Sequence, residues 1–200
     1  MIKSLSTIIS RYLEKNNNSL NKNDLLKIQY TLEAIFSDLT KFMIIFLIFL
    51  LLKEVPLFLL SFIILNSTRP LLGGIHCKTY YGCLICSILY FIIILLFSKL
   101  SPRLNINFYM IFFTISFIIT LIFAPCPNEK RPVKNKTTLK TLSLISLTFW
   151  IILFFNLSTL QICNCIVISI FLQIIQIIII NMKGVVFNDR SNKTFFKHTT

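Results

Sequence analysis

His76 and Cys83 stand seven positions apart in Arg69-Pro70-Leu71-Leu72-Gly73-Gly74-Ile75-His76-Cys77-Lys78-Thr79-Tyr80-Tyr81-Gly82-Cys83, a polar, glycine-bearing island between two strongly apolar stretches. An imidazole that takes a proton and a thiol that gives one up make a nucleophile and base pair once they come within hydrogen-bonding reach. The chain has two histidines, and the other, His198, lies in the basic C-terminal end, so His76 is the one internal general base. On a continuous helix seven residues rise about 10 Å, too far for that hydrogen bond. The connection must bend, and Gly73, Gly74 and Gly82 supply the backbone freedom. If Gly82 marks a helix start, Cys83 falls in the first turn, where unpaired amides and the macrodipole favour a thiolate.

The elements that must position this island are membrane helices. Hydrophobic residues make up 56% of the 200 positions, 20 of them Phe, and the mean hydropathy is +0.80. That is more than a soluble domain of this length can bury in one core. Apolar runs cover 42–52, 55–65, 84–97, 108–124, 142–157 and 162–180. A spanning helix needs about 20 residues. The first two runs are short and are divided by Lys53-Glu54, with Pro56 just beyond, so they read as one interrupted helix or as a tight pair of shallow ones. The expected fold class is all-α: a polytopic integral membrane protein with about six hydrophobic segments after an amphipathic N-terminal helix. The chain reads as a single membrane domain, 1–200. Residues 1–41 form a cytoplasmic amphipathic region, 42–181 the membrane helices with the catalytic segment 69–83, and 182–200 a basic tail. No removable signal peptide is expected, because 1–41 lacks a compact apolar run followed by a small-residue cleavage site.

The formal net charge is +13. With six crossings, residues 1–41, 66–82, 125–140 and 182–200 share one side and hold 17 of the 20 Lys and Arg. Cytoplasmic loops carry such an excess, which favours six crossings and a cytoplasmic island. The basic residues are strung between apolar helices with no aromatic-rich soluble face, so nucleic acid is not the expected partner. Topology and contact with the phosphates of the lipid bilayer account for the charge. The densest run, Glu129-Lys130-Arg131-Pro132-Val133-Lys134-Asn135-Lys136, is where an acidic peptide would be met, Lys130 and Arg131 among the contacts.

Polar turns around Asn16-Asn17-Asn18 precede Leu25, Leu26, Ile28, Leu32, Ile35, Phe36 and Leu39 at near-helical spacing. Such a helix is expected on the inner membrane surface or under the bundle. Glu33, close to that stripe, reads as a helix-surface carboxylate or as a holder of a basic residue near the site. The six cysteines do not resemble a disulfide framework, since four of them face the reducing side or the adjacent membrane. Cys83 and Cys86 form a C-x-x-C without a second pair at zinc-ligand spacing, so neither metal nor cofactor is expected. Cys163 and Cys165 read as small apolar residues at the start of the last helix.

Arg69 seven residues before His76, Gly74 two before it, Lys78 two after it and Cys83 seven after it, followed by Ser87-Ile88-Leu89, resemble the AgrB family of accessory-gene-regulator membrane endopeptidases. Ala124-Pro125, opening a basic, proline-containing loop, extends the match, as do the chain length and the polar N-terminal region. The resemblance implies a bacterial multi-pass cell-membrane thiol protease that cuts a small AgrD-like pro-peptide on the cytoplasmic side and helps close it into a cyclic autoinducing peptide for quorum sensing. It implies Cys83 as nucleophile, His76 as its base, Arg69 and Gly74 as supporting positions, and a homodimer. Cys77 and Cys86 flank Cys83, so the nucleophile is assigned by spacing.

In the chemistry so implied, the Cys83 thiolate attacks the carbonyl at the junction of signal core and tail, His76 protonates the leaving amine, and amides near Gly82 to Leu84 receive the oxyanion. An internal Cys or Ser of the substrate then captures the thioester as a thiolactone or lactone, in a site that excludes water. Arg69 reads either as a ligand for the substrate's acidic tail or as a helix-end arginine snorkelling to phosphates. The competing class is a non-catalytic small membrane transporter or assembly factor with His76 and Arg69 lining a pathway. Against it, the apolar cores from Leu84 onward carry no Asp, Glu, Lys, Arg or His.

Overall fold

Long runs of Ile, Leu and Phe must satisfy their own backbone polar groups in lipid, and the helix does so within one segment. The computed structural model describes residues 2–16, 21–74, 79–126 and 135–197, without the side chains of 2, 22 and 183–197. Seven helices occupy them: α1 Ile2–Asn16, α2 Lys22–Leu51, α3 Val55–Leu72, α4 Tyr80–Leu100, α5 Ile106–Phe123, α6 Lys136–Asn156 and α7 Leu160–Lys197. Six of them, α2 to α7, hold stretches long and apolar enough to cross a membrane. The all-α, polytopic architecture expected from the hydropathy is the one observed.

Segments 42–52 and 55–65 are neither short nor one interrupted helix. Each apolar run is one end of a longer helix whose polar flank continues the same backbone ladder: α2 takes in the amphipathic stretch from Lys22 before its run, and α3 runs on past its own to Leu72. Between them Lys53 adopts φ 57°, its N–H donates to Leu50 O at 3.1 Å, and Glu54 N–H reaches Phe49 O at 2.9 Å. These bonds make a Schellman motif, which satisfies the orphan carbonyls at the end of α2 and stops it. Lysine stands at the left-handed position where glycine is usual.

Contacts divide the chain into two compact units, Met1–Val55 with Lys78–Ser87, and Pro56–Cys77 with Ile88–Thr200. In the first, α1 lies on α2 through a polar face. Ser6 and Ser10 are buried, Ser6 Oγ donates to Glu33 Oε1 at 3.3 Å, and Gln29 Nε2 donates to Thr7 Oγ1 at 3.1 Å. Glu33 is therefore the acceptor that latches α1 to α2. Leu5, Ile8 and Tyr12 point away and are exposed. The second unit has a continuous core in which Tyr109 and Phe113 of α5, Leu147, Trp150 and Phe154 of α6, and Ile166, Ile170, Ile174 and Ile177 of α7 interlock. Trp150 Nε1 donates to Ser67 Oγ at 2.9 Å, and Asn164 Nδ2 donates to Ser101 O at 2.8 Å, so α6 is tied to α3 and α7 to the segment after α4.

Candidate functional site

Thr79 begins α4. Its carbonyl accepts the Cys83 N–H at 3.1 Å and its hydroxyl accepts the Gly82 N–H at 3.2 Å, the pattern of an N-cap. Cys83 thus sits in the first turn, as expected, although the cap is three residues before Gly82. The amides of Gly82 and Cys83 are thereby already engaged. Those of Tyr80 and Tyr81, one step nearer the helix start, have no intrahelical acceptor. Cys83 is half-buried, whereas Cys86, one turn on, is exposed. The Lys41 ammonium of α2 lies 3.6 Å from Cys83 Sγ and 2.6 Å from Asp38 Oδ1. Lys41 does not stand out in the sequence. The only hint was its position as the last charge before the apolar run at 42–52.

In the second unit the end of α3 is built around Gly73. Pro70 lies in the last turn, Gly73 N–H closes on Arg69 O at 2.9 Å, and Gly73 then turns the chain at φ 97°. The carbonyls this leaves over are taken up across the fold: Cys126 N–H donates to Leu72 O at 3.1 Å and Gln173 Nε2 to Gly73 O at 2.8 Å. A Cβ on Gly73 would lie 2.8 Å from Cys126 Cβ, so both the conformation and the contact require glycine. Asn181 Nδ2 donates to Cys126 Sγ at 3.4 Å, and burial pushes the Cys126 thiol up, partly offset by that donor. The start of the basic loop is therefore stitched to the start of the histidine segment. Gln173 and Asn181 were not singled out in the sequence; amides inside an otherwise apolar span were the available signal.

Arg69 and Gly74 come together. The arginine stem folds back over the glycine so closely that a Cβ there would meet Nε at 2.5 Å and Cγ at 2.9 Å. Arg69 is also electrostatically coupled to Tyr90, whose hydroxyl donates to Ser169 O at 3.2 Å. Cys83 belongs to the first unit, and Arg69 and Gly74 to the second. His76, Cys77, Lys78, Lys130 and Arg131 lie outside the described residues. Among the described residues no three His, Cys, Asp or Glu side chains gather as metal ligands.

The chain is 76% identical over 200 residues, the full length of both, to a protein of Clostridium beijerinckii described as AgrB-like. It is 28% identical over 196 residues, 91% of each chain, to another so described from Clostridium acetobutylicum. No solved structure matches it. The family profile of AgrB, accessory gene regulator B, matches residues 6–177. With that span covered and a full-length relative so similar, the chain belongs to the AgrB family.

Proposed function

We propose that this protein is a membrane-embedded cysteine endopeptidase that cleaves a small quorum-sensing pro-peptide at the C-terminal side of its signal core and promotes closure of the core to a thiolactone or lactone. The observation that carries the reading is the placement of Cys83: a half-buried thiol in the first turn of a capped membrane helix, beside a cation. Partial exposure beside a cation is the setting in which reactive cysteines are found. Family membership supports the processing role.

His76 takes the proton from Cys83 Sγ, the sulfur attacks the carbonyl carbon, and the oxyanion is met by the amides of Tyr80 and Tyr81. As the C–N bond breaks, the imidazolium protonates the leaving amine and a thioester remains on Cys83. The internal Cys or Ser of the substrate, held near, captures the acyl group in place of water. Lys130 and Arg131 meet the acidic tail of the pro-peptide on the cytoplasmic side of the cell membrane, and Arg69, braced on Gly74, supports the catalytic segment. The working form is a homodimer.

Co-expression with the peptide encoded by the neighbouring reading frame, followed by mass analysis of the core, tests the reading. The wild type is expected to yield a cyclic core, and Cys83→Ala an uncut precursor with normal membrane insertion. Cys77→Ala and Cys86→Ala retain most cleavage. An uncut precursor with the wild type, or cleavage retained in Cys83→Ala, contradicts the proposal.

A further inference from the structure

Two Asp–Lys pairs at i, i+3 lie on α2, and they differ. Asp24 and Lys27 approach to 3.3 Å with their side chains 44% and 78% exposed, as a solvated helix pair should. Asp38 and Lys41 approach to 2.6 Å, with the carboxylate 79% exposed and the lysine 13% exposed. A lysine at the edge of an apolar run ordinarily extends its ammonium to water. Lys41 instead holds its ammonium between a carboxylate and the Cys83 sulfur. Withdrawing a cation from water is costly unless anionic acceptors replace the water. Asp38 is one such acceptor, and the second position is occupied by a group that becomes anionic when it loses its proton.

We propose that Lys41 is the counter-charge of the Cys83 thiolate, aimed at it by Asp38. The proposal rests on Cys83 being the nucleophile and assigns that nucleophile a partner. An ammonium has three donors, so it can serve carboxylate and thiolate together. When His76 removes the thiol proton, the negative charge on sulfur faces Lys41. As the S–C bond forms, that charge passes to the carbonyl oxygen and then, with the breaking C–N bond, to the amine that His76 protonates. When the substrate's internal thiol or hydroxyl gives its proton to His76, neutral again after protonating the amine, and attacks the thioester, the S–C bond breaks and the charge returns to sulfur, opposite the same ammonium. Lys41 keeps its protons throughout. It stabilises the sulfur anion both as attacking group and as leaving group, and a better-stabilised thiolate leaves faster.

The test uses the full-length protein in membranes, alkylated with iodoacetamide at neutral pH, with Cys83 and Cys86 adducts quantified separately by peptide mass analysis. Cys86, exposed on the same helix, reports insertion and general access. Lys41→Met is expected to slow alkylation of Cys83 about tenfold relative to Cys86, about 1.4 kcal/mol. Lys41→Arg, which keeps the charge, is expected to keep most of the rate. Equal Cys83 rates in wild type and Lys41→Met at neutral pH overturn the proposal. Should Lys41→Met lose the Cys86 reference, o-phthalaldehyde is applied to the wild type. It condenses with a neighbouring amine and thiol to a fluorescent isoindole with loss of two waters. A product joining residues 41 and 83 supports the pair, and its absence overturns it. Slowed alkylation with unchanged peptide cleavage and cyclisation would leave a pair without a catalytic role and overturn the assignment. Cleavage retained in Cys83→Ala would defeat the endopeptidase reading while leaving the alkylation result to stand by itself.

Discussion

The two sides of the histidine are held by opposite means. On the N-terminal side, Leu72 and Gly73 are fixed by neutral hydrogen bonds from Cys126 and Gln173 and by a steric fit that admits no Cβ. On the C-terminal side, Cys83 is fixed in a capped helix turn, and its sulfur meets a charge supplied by Lys41. One side is built to hold a backbone still and the other to hold an electron-rich atom. Substitutions on the first should cost stability and geometry, whereas substitutions on the second should cost thiol reactivity and leave the fold alone.

The largest effect on stability is expected at Gly73. Gly73→Ala puts an L side chain at φ 97°, at a cost of about 1–2 kcal/mol. It also drives a Cβ into Cys126 Cβ, which cannot swing away. Thermal unfolding in detergent should shift down and cleavage should be lost, while a wild-type melting curve would break the comparison. Gly74→Ala sharpens it: the atom met is in the flexible Arg69 side chain, so stability should fall less than for Gly73→Ala while cleavage still drops.

Gln173 comes next. It is 2% exposed, and Gln173→Leu leaves the Gly73 carbonyl without its donor, a loss of about 1–3 kcal/mol. Cleavage should fall while iodoacetamide still alkylates Cys83 at the wild-type rate, the reverse of the pattern expected for Lys41→Met. Slowed Cys83 alkylation in Gln173→Leu would erase the distinction between the two sides.

The helices were legible because their cores are uninterrupted apolar runs, and the first-turn position of Cys83 because Gly82 immediately before it punctuates a helix start. Helix ends were not, since polar flanks such as 22–41 continue the backbone ladder without continuing the hydropathy. α1 escaped notice for a different reason: the positions it buries are Ser6 and Ser10, so its apolar stripe faces away from its partner. The partners of the site depend on long-range pairing. Lys41 is 42 positions from Cys83, and Gln173 is 100 from Gly73, distances at which periodicity carries no information. Glu33 was noticed for its charge, but whether it met a base or a serine depended on a helix that had not been anticipated.

Glu33 gives the smallest effect. Glu33→Gln weakens the acceptor for Ser6 by about 1 kcal/mol. Limited proteolysis should cut sooner between α1 and α2, with Cys83 alkylation and Gly73-dependent stability both unchanged. A change in either would mean that α1 reaches one of the two sides.

The thioester on Cys83 is the central claim, and trapping it is the most direct measurement. A substrate whose internal Cys or Ser is replaced by Ala lacks the capturing nucleophile but retains the scissile bond. With this substrate the acyl-enzyme is expected to accumulate as a covalent adduct of protein and peptide, released by hydroxylamine and absent in Cys83→Ala, because thioesters yield to that nucleophile and amides do not. Rapid release of linear acid with no adduct, or an adduct that persists in Cys83→Ala, would contradict the account.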